Sequence, residues 1–206
     1  MSLNGDTAAL AAYYAGWADQ YDADVGDQEY GLPNSVLVTI QAAALTVPRL
    51  ADPDLRILDA GCGTGRIGVA LADQGYTDIR GIDLSPEMAS QAKARGMYRT
   101  VEAHIDLSND PPDRWRRSAE LVIVGGVFTV GHIPPKSLHC VAQLVEPGGV
   151  LITTVRPGYY DTTDYGDVSA AFVESGAADL IVHFESLPYT VDTHGLYYAY
   201  RIHGTN

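Results

Sequence analysis

The 206 residues are enough for one domain, and at 46% hydrophobic they can supply its core without disulfide staples. Asp and Glu total 26 against 13 Lys and Arg, and the resulting charge of −13 repels a phosphate backbone, which speaks against nucleic acid as a partner. Arg114, Arg116 and Arg117 around Trp115 come nearest to a basic patch, but Asp110, Asp113 and Glu120 flank them, so a solvated loop is expected. Cys62 and Cys140 fit no CxxC or zinc-ligand spacing, which suits a reducing, intracellular setting and gives no metal centre. The apolar stretch 8–18 is interrupted by Tyr13, Tyr14 and Gly16, with no basic residue before it, and does not read as a signal peptide. No run approaches the roughly 20 apolar residues of a membrane span. The expectation is a cytoplasmic chain.

In chain order, residues 7–21 and 33–47 read as two leading helices. Residues 55–59 form a short apolar strand ending at an acid and a glycine cluster, followed by a helix over 65–74 that stops at Gly75. A second strand, 79–82, ends at Asp83; Ser85 caps the next helix, Pro86 lies in its first turn, and Gly96 follows its end near Arg95. A third strand, 101–105, again runs into an acid, Asp106. Residues 121–124 read as a fully buried strand stopping at Gly125-Gly126, 134–144 as a helix, and 150–155 as a fifth strand. A polar loop is expected over 156–167, a helix over 167–178, and two strands, 180–191 and 195–203, joined by a short turn. Repeated strand–helix–strand units imply an α/β fold. The expected fold is a Rossmann-like, seven-stranded, mostly parallel sheet with a C-terminal antiparallel hairpin and helices on both faces. A single domain over 1–206 is expected, with 1–50 as leading helices or lid and 51–206 as the sheet core.

The most informative segment is ILDAGCGTGRIG, residues 57–68. Its glycines allow a tight turn and close approach of a ligand to the backbone. One register, Gly63-x-Gly65-x-x-Gly68 with Asp83 downstream, matches a dinucleotide fingerprint and an NAD(P)-dependent oxidoreductase. The other reads Asp59-x-Gly61-x-Gly63-x-Gly65. It is favoured because the strand ends at Asp59, because a carboxylate there repels a pyrophosphate yet accepts from an ammonium group, and because neither Lys93 nor Lys136 completes a Tyr-x-x-x-Lys pair.

The DxGxGxG loop, with Asp83 and Asp106 ending the next two strands, resembles the class I S-adenosylmethionine-dependent methyltransferases. YYAGWADQYD (13–22), GIDLSPEM (81–88) and ELVIVGGVFTVGHIP (120–134) further resemble the Williams–Beuren-region methyltransferase-like proteins. The resemblance implies S-adenosylmethionine as cofactor and methyl transfer to a small-molecule acceptor by in-line displacement. A non-catalytic S-adenosylmethionine-binding module is the remaining alternative.

On that resemblance, Asp59, Gly61, Cys62 and Gly63 face the methionine end of the cofactor, and Asp83 takes the ribose hydroxyls. Leu84 and Met88 lie along the adenine, Met88 serving equally well as core, and Asp106 with Leu107 meets its edge. Gly125 keeps space where the methyl group emerges, and His132 is the candidate general base, or else a hydrogen-bonded loop histidine. Tyr14, Trp17 and Tyr21 share one helical face that is either lid over the cofactor or core. Tyr159, Tyr160 and Tyr165 either close over the acceptor or decorate a surface loop. The acceptor atom and the oligomeric state are not specified by the sequence.

Overall fold

The computed structural model describes residues 31–204, so the expected helix over 7–21, with Tyr14, Trp17 and Tyr21, lies outside the described residues. Strands β1 (Arg56–Ala60), β2 (Asp78–Ile82), β3 (Thr100–Glu102), β4 (Ala119–Phe128), β5 (Val145–Val155), β6 (Ala178–Pro188) and β7 (His194–Ile202) form one sheet in the order β3-β2-β1-β4-β5-β7-β6. β1 pairs in parallel with both β2 and β4, so the chain reverses its direction of travel across the sheet between them. Ligands of doubly wound folds sit at the carboxyl ends of strands flanking such a reversal. β7 enters antiparallel between β5 and β6, as the two-strand pattern at the end of the sequence requires.

The continuous apolar strands are explained by burial on both faces. Side chains alternate along a strand with period two: Ile57, Leu121, Ile123, Val150 and Ile152 point to one layer, while Leu58, Val122, Val124 and Leu151 point to the other. The first layer is closed by helix α1 (Leu32–Ala44), which buries Leu32, Val36, Ile40 and Ala43 on one stripe, and by α2 (Arg66–Asp73) through Ile67 and Leu71. The second is closed by α4 (Ser137–Ala142), α5 (Pro157–Thr162) and α6 (Tyr165–Glu174). Between β2 and β3 lies α3 (Pro86–Ala94), whose cap is the expected one: the Ser85 hydroxyl accepts from the Met88 N–H at 3.2 Å. Thus the second leading helix is a core layer. Among the described residues no helix is long and apolar enough to cross a membrane.

Several boundaries differ from the sequence expectation. β3 ends at Glu102 instead of 105 because His104 adopts a left-handed backbone, φ 64°, that a strand cannot continue. β4 does not stop at the glycine pair. Its pairing with β5 shifts between Val124 and Phe128, Gly126 takes φ 78°, and the Thr154 hydroxyl accepts the Gly126 N–H at 2.9 Å, so the strand bends and carries on to Phe128. β5 begins at Val145, ahead of the Pro-Gly-Gly turn, and α4 is confined to Ser137–Ala142. The expected polar loop over 156–167 is instead α5 and the start of α6. Tyr159 and Tyr165 are buried there, with Tyr165 packed edge-on to Phe128 at 5.0 Å and hydrogen-bonded to Thr153 at 2.7 Å. The arginine-rich stretch is a short turn, Asp113–Trp115, and its charges are answered locally: Arg114 pairs with Glu102, and Arg116 with Asp110 at 3.5 Å.

At the amino ends of the strands, Glu120 ties three segments together. It accepts from Arg49 Nε at 2.9 Å and from the Arg56 N–H at 3.0 Å, while Arg56 also reaches Glu146. The Arg49 hydrogen bond outweighs partial burial and holds the Glu120 carboxyl near a pKa of about 2. A carboxylate depressed on folding contributes stability above its unfolded pKa and loses it as pH falls toward the folded one. Because Arg49 and Arg56 are 40% and 44% exposed, solvent screens the pairs. Glu120→Gln is therefore expected to cost on the order of 1 kcal/mol in urea denaturation at pH 7. The difference from the unaltered protein should shrink as pH is lowered from about 4.5 toward 2.

Candidate active site

Most sequence-derived site residues within the described span lie near the carboxyl end of a parallel strand or in the loop after it; Gly125 lies within β4 and Met88 within α3. Asp59 is the penultimate residue of β1, Gly61, Cys62 and Gly63 form the turn after it, Asp83 and Leu84 follow β2, Asp106 and Leu107 follow β3, and His132 follows β4. The turn is pinned to the neighbouring strand: the N–H groups of Gly61 and Cys62 donate to the Ile82 carbonyl at 2.8 and 3.1 Å. Gly63 has φ 53°, and nothing within 4 Å stands where its side chain would be, so the loop leaves its backbone open to a ligand.

Asp59 has no exposed surface. Its Oδ2 accepts from the Tyr98 hydroxyl at 2.6 Å, whereas its Oδ1 is buried with no hydrogen-bond partner among the described residues. Burial raises its pKa to about 7; the Tyr98 hydrogen bond opposes that rise only in part, and the Asp83 charge adds to it. Asp83 is also raised by burial, against backbone hydrogen bonds from Ser85, Gly63 and Leu84. Its two oxygens accept from the Ser85 N–H and the Gly63 N–H, each at 2.8 Å, so it already fastens the glycine turn to the start of α3. Two carboxylates held out of water beside one loop make a site that favours a cation and disfavours a pyrophosphate.

Tyr98 escaped the sequence reading. It lies beyond α3 with no periodic pattern to mark it, yet its ring fills space that side chains at three glycines would need. A Cβ on Gly68 would lie 2.3 Å from the ring, one on Gly65 3.1 Å away, and one on Gly81 3.3 Å away. The third glycine of the formal GxGxxG is thus spent on a tyrosine that orients Asp59. Unexplained glycines in α2 and β2 were the available signal.

The remaining positions divide. Leu107 reaches the glycine turn, 3.6 Å from where a Gly61 side chain would begin, so the loop after β3 meets the one after β1. Leu84 is half-buried and Met88 is 2% exposed. Asp106 caps its own turn, accepting from the Ser108 N–H at 2.8 Å and the Asn109 amide at 2.7 Å. Cys62 is buried, and burial pushes its thiol well above the usual range, so it is inert. Gly125 has a packing explanation that the sequence reading did not foresee: Ile67 Cδ1 lies 2.3 Å from where its side chain would start.

At the ends of β4 and β5 is an open cleft of about 570 Å³ lined by Thr129, Val130, Arg156, Pro157, Tyr159 and His194, among others. The buried Tyr159 hydroxyl donates to the Ile133 carbonyl at 2.7 Å and thereby fixes α5 against the loop carrying His132. Burial, with the Arg156 charge adding to it, lowers the His132 pKa to about 4. The imidazole is therefore neutral at physiological pH, able to accept a hydrogen bond but weak as a base.

Residues 57–149 match the family profile described as "Methyltransferase domain". The human Methyltransferase-like protein 27 is 29% identical over 151 residues, 73% of this chain and 59% of that protein. A TehB-like S-adenosylmethionine-dependent methyltransferase from Corynebacterium glutamicum superimposes with a TM-score of 0.63 at 25% identity, covering 93% of this chain and 98% of that one. By sequence and by fold the chain is similar to S-adenosylmethionine-dependent methyltransferases. Ubiquinone biosynthesis O-methyltransferase of Xanthomonas campestris pv. campestris is 27% identical over 133 residues, 64% of this chain and 53% of that protein. The chain spans just over half the length of these two curated relatives. The family match starts inside β1 and ends inside β5, so it takes in the glycine loop, Asp83, Asp106 and the His132 loop.

The burial of Asp59 gives a test that needs no ligand. Its unfolded pKa is near 3.9 and its folded value about 7, so the unliganded protein loses stability as pH rises through that window. Asp59→Asn keeps an acceptor for Tyr98 and removes the charge. It should raise the melting temperature by several degrees at pH 8, by clearly less at pH 5, and hardly at all below the unfolded pKa of about 3.9. A variant less stable than the unaltered protein at pH 8 would contradict the assignment.

Proposed function

We propose that this chain transfers a methyl group from S-adenosylmethionine to a small-molecule acceptor. The observation that carries the reading is the buried, unpartnered Asp59 Oδ1 beside a glycine turn whose backbone at Gly63 is open. A buried acid with a free acceptor fits the ammonium of a methionine moiety, and the open space at Gly63 leaves room for the rest of it. When bound, S-adenosylmethionine supplies a methyl group activated for in-line displacement.

In this reading Asp59 holds the ammonium group, and Gly61, Cys62 and Gly63 line the methionine end. Asp83 takes the ribose hydroxyls, with Leu84, Met88, Asp106 and Leu107 around the adenine. Gly125 stays near the methyl exit, though Ile67 already accounts for it. The chain's contribution to rate is chiefly alignment, which brings up to about 7–11 kcal/mol in favourable intramolecular cases and needs no strong acid or base. That agrees with His132, near the cleft, being only weakly basic. A cleft of about 570 Å³ suits a small acceptor, and the Xanthomonas relative is named for ubiquinone biosynthesis. The two free cysteines, Cys62 and Cys140, support a reducing, cytoplasmic setting.

Titration calorimetry with S-adenosylhomocysteine and with NADH tests the cofactor. The sulfur nucleotide should bind and NADH should not; the reverse would return the oxidoreductase reading. Asp83→Ala should weaken S-adenosylhomocysteine at least ten-fold, as loss of a charge-assisted acceptor costs about 1.5–3 kcal/mol. Incubation with S-adenosylmethionine and a metabolite extract should yield a methylated small molecule. Cofactor binding with no methylated product would favour the non-catalytic module.

A further inference from the structure

In a chain of net charge −13, many of the arginines are answered by acids: Arg49, Arg56, Arg114 and Arg116 all reach carboxylates. Arg156, at the carboxyl end of β5, has no carboxylate partner among the described residues and lines the cleft. Its guanidinium lies over the ring of Tyr189, 4.8 Å from the centroid. Tyr189 is 4% exposed and held by backbone bonds, its N–H donating to the Thr193 carbonyl at 2.8 Å and its own carbonyl accepting from the Leu32 N–H at 3.1 Å. An arginine stacked on a fixed aromatic face keeps its fork free and its side chain ordered, so a planar anion meets a prepared partner. The walls beside it are apolar: Val130, 67% exposed, with Pro157 and Tyr159. A large exposed valine at a cleft mouth gains by being covered.

Resting on the methyltransferase reading, we propose that Arg156 determines acceptor specificity, and that the acceptor is a small organic carboxylate with an apolar body. The guanidinium holds the carboxylate through two parallel hydrogen bonds, and the body lies against Val130, Pro157 and Tyr159. A carboxylate is favoured over a phosphate by charge count. Among the described residues Arg156 is the one permanently charged cation lining the cleft, and His132 beside it is neutral at physiological pH, so a dianion would be left half-neutralised inside an acidic protein.

The test uses the protein saturated with S-adenosylhomocysteine and two matched pairs of probes, benzoate against benzamide and octanoate against octanamide, with phenyl phosphate as the phosphate arm. Binding is followed by ligand-observed NMR. In at least one pair the acid should bind about ten-fold more tightly than its amide, since a hydrogen bond to a charged group is worth at least that factor. Arg156→Gln should erase the preference while S-adenosylhomocysteine affinity stays within two-fold, and Arg156→Lys should restore part of it. Equal binding of acid and amide in both pairs, no binding by any probe, or a preference that survives Arg156→Gln would overturn the proposal. Tighter binding of phenyl phosphate than benzoate would overturn the carboxylate assignment. Failure of S-adenosylhomocysteine to bind at all would instead sink the methyltransferase reading, and this proposal with it.

Discussion

An ionised carboxylate with no exposed surface and one unsatisfied oxygen is costly to keep in a folded protein, by several kcal/mol unless it takes up a proton or a cation. Asp59 is such a group, and the packing around it makes sense once that cost is considered. Tyr98 gives one oxygen a hydrogen bond at 2.6 Å; the other is left without a partner among the described residues. Gly65, Gly68 and Gly81 lack side chains where the Tyr98 ring passes, so part of the glycine pattern serves to bring a hydroxyl to that acid. Asp83, also shifted upward by burial, clamps the turn from the other side through the Gly63 N–H. The unliganded site is thus held in a state that a bound cation would relieve, a local loss of stability of the kind functional sites retain.

The sheet supplies the second half of the site by a different route. β4 bends at Gly126 and continues to Phe128, and β7 enters beside β5 with Tyr198 and Tyr200 in the same layer as Phe128, Tyr165 and Phe172. That aromatic layer seats α5 and α6, and Tyr159 then locks α5 to the Ile133 carbonyl. The consequence is a cleft whose cation, Arg156, is set by packing from two directions: β5 below and the Tyr189 ring beside it. The glycine loop and the cleft therefore rest on separate structural supports in one sheet.

Legibility in the sequence followed how local each cause was. The repeated strand–helix units, the Ser85 cap, the glycine turn and the acids at the ends of β1 and β2 are readable because each rests on a few neighbouring residues. What failed depended on distant partners. The end of β4 was placed at Gly125-Gly126 because glycines usually punctuate strands, yet the Thr154 hydroxyl and the Ile67 side chain make them a bend and a packing gap. Residues 156–167 looked like a polar loop because Asp161, Asp164 and Asp167 hide the buried Tyr159 and Tyr165. Tyr98 and Arg156 carry no periodic signal at all; only the fold reveals that one reaches Asp59 and the other lines the cleft.

The central claim is that Asp59 is largely protonated in the free protein just below neutrality and gives up that proton to receive a cationic cofactor. Proton exchange on binding tests it most directly, through calorimetric titration of S-adenosylhomocysteine near pH 6 in buffers of different ionisation enthalpy. The account predicts release of close to one proton per ligand bound, vanishing in Asp59→Asn. Binding with no proton released, or release unchanged in that variant, would contradict it.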